Sequence, residues 1–214
     1  MTTRLEPTNR TRLRRRSERG RYEREAIDAI LDATPLCHVG YLIEGRPAVT
    51  PTLQWRIGDR VYWHGSSASR ALRASQDMQV CLTVSLLDGL VLARSAFHHS
   101  ANYRSAMIFG TATRIDDRER KRELMQAFVE RLYPGRWAEL RPVTEQELRA
   151  TAVLELPIDE ASAKVGTGDP IDDEEDYAWP VWAGVVPVRQ VVGPPVADAR
   201  SPAAAAPPRV SLAG

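Results

Sequence analysis

From Leu36 to Ile115 the chain is mostly a succession of short apolar runs, separated by turns too brief to hold a crossover helix. "LCHVGYLI" and "PAVTPTLQW" flank "EGR", and "RVYWHG" follows the turn "IGD". "MQVCLTVSLL" and "LVLARSAF" flank Asp88-Gly89. An Asp-Gly pair suits a type I′ turn, whose central residues need positive φ, so a tight hairpin is expected there. "SAMIFGTATRI", "AVLELPI" and "ASAKV" continue the series. Strands joined by hairpins pair antiparallel and bury their apolar face by closing on themselves. The expected fold is mainly β with flanking helices, an antiparallel barrel of at least six strands.

Two main helices accompany the strands. "YEREAIDAILDAT" spaces Ala26, Ile27, Ile30 and Leu31 as one stripe, and Pro35 stops it. "DDRERKRELMQAFVERLY" puts Leu124, Met125, Phe128, Val129 and Leu132 on one face, between opening aspartates and a closing "PGR". "SASRALRAS" reads as a short helix opened by serine caps, and "TEQELRAT" as another with a threonine cap.

The chain of 214 residues holds one core of ordinary size. Residues 1–21 carry "RTRLRRRSERGR" with little to bury and read as a disordered, solvated basic arm. The arm lacks the interleaved aromatics of a nucleic-acid stacking surface. Residues 193–214, "GPPVADARSPAAAAPPRVSLAG", read as a disordered Pro/Ala-rich tail. The folded domain is placed at 22–192. Lys+Arg 29 against Asp+Glu 28 leaves a net charge of +1, no field for nucleic acid or membrane. Cys37 and Cys81 lack metal or disulfide spacing, and no apolar signal follows the basic start. A cytoplasmic location is expected.

Three stretches carry candidate chemistry. "HGSSASRALR" offers a glycine, serine hydroxyls and Arg70 where a strand gives way to a helix, and unpaired backbone N–H groups there favour an anion. Arg70 is suited to gripping phosphate oxygens in a bidentate manner. "NYRS" adds the planar Tyr103, a second anion clamp in Arg104, and Ser105. Trp179 and Trp182 are able to cover a flat ring or pack as core. A phosphate beside a flat ring points to a mononucleotide. Neighbours on a strand face opposite ways, so the adjacent His98 and His99 can share an ion only where the chain has broken into a loop; no HExxH, Cys/His cluster or carboxylate set at ligand spacing is nearby, and no dedicated metal site is expected. No GxSxG elbow marks a hydrolase.

These residues, with "DGLVLARSAFHHSANYRSAMIFGTA", "YPGRW" and "VWAGV", resemble the flavin-nucleotide-binding branch of the pyridoxamine 5′-phosphate oxidase-like family, which also holds nitroimidazole-resistance proteins. The resemblance implies a split β-barrel homodimer with FMN in grooves at the subunit interface. By the same resemblance, Thr50 in "PAVTPT" passes the ring edge. His64, Gly65, Ser66 and Arg70 form the phosphate segment. Tyr103, Arg104 and Ser105 reach the cofactor from a neighbouring strand, and Trp182 closes over it, from the same subunit or its partner. His98 and His99 line the substrate side or the dimer seam. Two features depart from the family pattern: the spacing from His64 to Arg70 is one residue short, and Gly166 stands where a basic residue follows "SAKV".

The implied activity is an FMN-dependent oxidoreductase acting on a small organic substrate. Its electrons come from a reduced nicotinamide or a deazaflavin, and His64 delivers protons as the catalytic residue. The alternative is a non-catalytic module that stores or senses flavin, haem or a deazaflavin.

Overall fold

Two of the three expected tight turns form where the local chemistry puts them. Glu44 and Gly45 take φ of 51° and 74° between β2 (Leu36–Ile43) and β3 (Arg46–Ile57), and Gly58 takes φ of 60° between β3 and β4 (Arg60–Ser66). The computed structural model describes residues 3–70, 72, 77–202 and 205–211. Of the short helix expected at 67–75, Arg70 and Leu72 are helical, and positions 71 and 73–75 lie outside the described residues.

The third turn does not form. β5 (Met78–Leu92) runs through Asp88-Gly89 without reversing, and its ladder with β6 (Ser100–Arg114) shifts register between Leu87 and Gly89. Asp88 is the extra residue of a β-bulge. Its carboxylate accepts from Arg104 Nε at 2.9 Å and Nη2 at 2.7 Å, and its carbonyl accepts from Val188 N at 3.0 Å. Gly89 serves close approach: a Cβ there would lie 2.9 Å from Val185 Cγ1 and 3.2 Å from the Val186 carbonyl of β9 (Gly184–Pro187). Tertiary pairing thus uses this Asp-Gly for a purpose other than the one its local preference favours. The reversal falls instead on residues 93–99, "ARSAFHH".

After β6 come α2 (Arg118–Leu132), α3 (Glu145–Ala150), β7 (Thr151–Pro157) and β8 (Glu160–Gly166). α3 opens with a capping box between Thr144 and Glu147. The strands pair antiparallel in the cycle β6-β7-β4-β3-β2-β5 and back to β6, which makes a six-stranded ring. β8 and the short β1 (Gly20–Arg21) extend from β6, and β9 extends from β5, giving nine strands among the described residues. This is a split barrel.

Alternation along the strands divides the apolar residues between two cores. Val39, Tyr41, Trp63, Leu82, Ile108 and Leu154 fill the ring, joined by Ile27, Ile30 and Leu31 of α1 (Arg24–Ala33). Trp55, Tyr62 and Val153 face outward and pack under Leu124 and Phe128 of α2. Gln54, fully buried, ties α1 to β3 by donating to the carbonyls of Leu31 at 2.6 Å and Thr34 at 2.9 Å.

The basic arm does not stand off in solvent. Leu5 N donates to the Tyr22 carbonyl at 2.9 Å, Thr8 and Arg10 bind the Glu160 carboxylate of β8, and Arg10 lies over the Phe109 ring at 5.1 Å. Gly20 and Arg21 pair with Lys164 and Ala163 as a strand. The acidic Glu160 and the free edge of β8 supply the partners that a charge-run reading omits. Arg12, Arg14, Arg15 and Arg16 remain exposed. In the tail the described residues form no helix or strand, and Ser211 N donates to the Leu132 carbonyl at 2.8 Å.

If Gly89 exists to admit β9, Gly89→Ala lowers stability by about 1–3 kcal/mol through overpacking. Val185→Ala in the same chain restores part of that loss. Denaturant melts of the three variants and the parent check both statements.

Candidate functional site

A cavity of about 150 Å³ opens between β2, β3 and β4, with Tyr41, Thr50, Thr52, Trp63 and Gly65 in its wall. Tyr41 and Thr50 lie on the inward faces of paired strands, and their hydroxyls share a hydrogen bond of 2.8 Å. Thr52 follows Thr50 by two residues and so shares its face, a signal already present in "PAVTPT". Gly65 is where the backbone must yield: a Cβ there would lie 2.8 Å from Leu72 Cδ1.

His64 stands in the same wall, but alternation turns its ring outward, away from Thr50. The ring packs 4.9 Å from Phe128 and 5.8 Å from Trp55, centroid to centroid. Its Nδ1 is buried and has no hydrogen-bond partner. Burial holds its pKa below the ordinary histidine value, so the ring is neutral at pH 7.

Beyond Gly65 the chain turns. Ser69 N donates to the Ser66 carbonyl at 2.9 Å and Ala68 N to Ser66 Oγ at 3.2 Å. Arg70 is exposed, and among the described residues no carboxylate forms an ion pair with it. Arg104 contrasts with Arg70. The expected second anion clamp is occupied by Asp88, so its charge is already matched within the barrel.

Tyr103 and Ser105 lie on the outer face of the β6–β8 ladder, beside Gly166 and Lys164, and do not line the cavity. The gap left by Gly166 is filled from an unexpected place. A Cβ there would meet Tyr103 Cε1 at 3.0 Å and Arg19 Nη1 at 3.3 Å. The cation missing from β8 is thus supplied by the N-terminal arm, and nothing in the spacing of "SAKVG" announces Arg19.

His98, His99 and Trp182 also lie outside the cavity wall. His98 and His99 belong to the β5–β6 turn, where Ser95 holds both: His98 Nδ1 is 3.0 Å from Ser95 Oγ, and His99 Nδ1 is 2.8 Å from the Ser95 carbonyl. Ligand atoms of His98, Asp172 and Asp176 lie within 4.8 Å of one another. Asp172 is already taken, accepting from Arg94 N at 2.9 Å and Arg94 Nη1 at 3.1 Å. Trp182 lies over Gly184, where a Cβ would be 2.9 Å from its indole.

The outer face of the barrel is apolar. Leu36 pairs with Leu53, Gly40 with Val49 and Leu42 with Pro47, and the face continues to Leu87 and Met107. Val49 is 66% exposed.

A split barrel with a cavity between β2, β3 and β4 has known counterparts. A family profile described as "Pyridoxamine 5'-phosphate oxidase" matches residues 23–165. The chain belongs to this family. It is 53% identical to the flavocytochrome Anf3 from Azotobacter vinelandii over 95% of both chains, with a TM-score of 0.91. It is 40% identical to an FAD and haem binding protein from Mycobacterium smegmatis over 87% of this chain and 92% of that one, with a TM-score of 0.83. A proposed 5-nitroimidazole antibiotic resistance protein from Bacteroides thetaiotaomicron shares 25% identity over 66% of this chain and 83% of that one, with a TM-score of 0.54. No curated protein matches the chain. No helix among the described residues is long and apolar enough to cross a membrane.

Because the His64 pKa is depressed in the fold, the unfolded chain binds the extra proton first as pH falls. The stability held by the neutral ring is complete above the unfolded value of about 6.5 and is lost progressively as pH falls from there through the lower folded value. His64→Gln therefore shows a shallower fall in Tm between pH 7.5 and 5 than the parent, which thermal melts across that range detect.

Proposed function

We propose that the chain is a flavin-binding redox protein that acts as a homodimer and carries a haem as a second redox group. The observation that carries the flavin reading is the incompleteness of the cavity. At about 150 Å³ it falls below the several hundred Å³ of a complete ligand pocket. Its wall, β3, exposes Val49 and Leu53 on the opposite face. A second copy seated on that face completes a groove that one protomer only begins. The haem reading is supported by the flavocytochrome and by the FAD and haem binding protein, both similar to this chain over most of its length.

Each residue then has a task. Arg70 and the Ser66 turn hold a phosphate, since Arg70 has no ion-pair partner among the described residues and Arg104 has one. The Tyr41–Thr50 pair presents hydroxyls to the ring edge. The similarity to the FAD and haem binding protein favours FAD over the mononucleotide FMN. His64, facing Trp55 and Phe128, fixes β4; proton delivery falls to a group on the cavity side. When bound, the flavin accepts two electrons and releases them singly, and the haem passes one electron at a time. The electrons enter from a reduced nicotinamide or a deazaflavin and leave to a small organic acceptor.

The test is an absorbance spectrum of the purified chain, with its flavin identified by chromatography and NADPH then added without oxygen. A flavin band that bleaches supports the redox reading. A band that stays oxidised with both NADPH and a reduced deazaflavin favours a storage or sensing module. No flavin uptake from FAD or FMN overturns the reading.

Arg70→Ala is expected to weaken flavin binding by about tenfold or more while leaving the melt unchanged, as the loss of a charged hydrogen bond predicts. Flavin titrations by fluorescence quenching measure this.

A further inference from the structure

Four histidines and two cysteines are the strongest candidates to hold a haem iron in this chain. Resting on the haem half of the proposed function, we infer that His99 is the axial ligand, presented by the β5–β6 turn to a porphyrin lying against Phe97, Trp179 and Trp182.

A histidine ligand needs a bare ring nitrogen facing outward and its other nitrogen fixed as a donor. His99 meets both conditions. Its Nδ1 lies 2.8 Å from the Ser95 carbonyl, which only accepts, so Nδ1 carries the proton and Nε2 the lone pair. The ring is exposed.

The other candidates fail for stated reasons. His98 Nδ1 faces the Ser95 hydroxyl, which can donate or accept and so does not fix the tautomer, and the anionic carboxylates of Asp172 and Asp176 lie beside the ring. The His64 ring is held between Phe128 and Trp55 under α2, where the packed aromatics leave no porphyrin-sized gap. His38 shares the outer barrel face with Pro51 and Thr83, in the middle of the surface assigned to the second copy. Burial pushes the Cys37 thiol up to about 12 and raises that of Cys81, so neither offers a thiolate at neutral pH.

The surroundings of His99 suit a flat apolar group. Phe97 is 88% exposed, and Trp179 and Trp182 are each 65% exposed. These belong to two segments that the fold brings together. Arg94 N binds Asp172, the Arg94 guanidinium lies over the Tyr177 ring at 4.8 Å, and β9 pairs with Gly89–Leu92 immediately before the turn. Exposed aromatics on two segments joined at the turn that bears His99 suit an occupant with both a metal and an apolar plane.

The test uses the full chain titrated with haemin, read by its Soret band and, after reduction, by the iron–histidine stretch in resonance Raman spectra. The parent is expected to show both signals. His99→Gly loses the iron–histidine stretch, and added imidazole restores it. His98→Ala and His38→Ala keep it, and circular dichroism confirms that each variant is folded. A folded His99→Gly with an unchanged stretch, or loss in His98→Ala alone, overturns the assignment. If the parent takes up flavin but no haemin, the haem half of the proposed function falls with the assignment and the flavin half stands.

Discussion

The ladder between β5 and β6 is the constraint on which the rest of the molecule depends. Each strand spans 15 residues, and together they close the ring, anchor β8 and β9 on their outer edges, and set the turn that bears His98 and His99. The ladder reaches that length because the Asp88 bulge absorbs a register shift without ending the strand. The bulge also fixes Arg104, since the Asp88 carboxylate displaced by the shift is the one that meets it. Shortening either strand would move the reversal inward and separate the loop histidines from the segment at 172–184.

β3 divides the molecule's two kinds of surface. Thr50 and Thr52 face the cavity, whereas Val49 and Leu53, one residue away on each side of that pair, face out. A period of two thus couples a polar pocket lining to an apolar contact face on a single strand. A one-residue slip would put valine and leucine in the pocket and threonine on the contact face. The register is held from both sides, by β2 across a tight turn and by β4 across another.

What the sequence made legible follows from how local each interaction is. The turns at Glu44-Gly45 and Gly58, the stripe of α1 and the cap of α3 rest on neighbours in the chain, and each could be read directly. The barrel came from the succession of hairpins, and Thr50 and Gly65 were singled out by the family resemblance. Asp88-Gly89 misled because β9, nearly a hundred residues later, supplies the contact that decides its role. Arg104 looked like a free clamp because no pattern pairs it with a bulged aspartate. The arm looked solvated because Glu160, its partner, lies at the far end of the chain. The outward turn of the His64 ring was available from the parity of β4, where Val61 and Trp63 face in.

Arg19 and Gly166 occupy the two ends of one space. A Cβ at 166 would crowd both the guanidinium and the Tyr103 ring, which must then give way by a few tenths of an ångström. The two positions are therefore complementary in volume as well as in charge, though they lie far apart in the chain. A cation carried on an arm also differs from one carried on a strand: it arrives only after β1 has zipped onto β8. The positive charge at this spot thus depends on the pairing of β1 with β8, where a basic residue at 166 would depend on β8 alone.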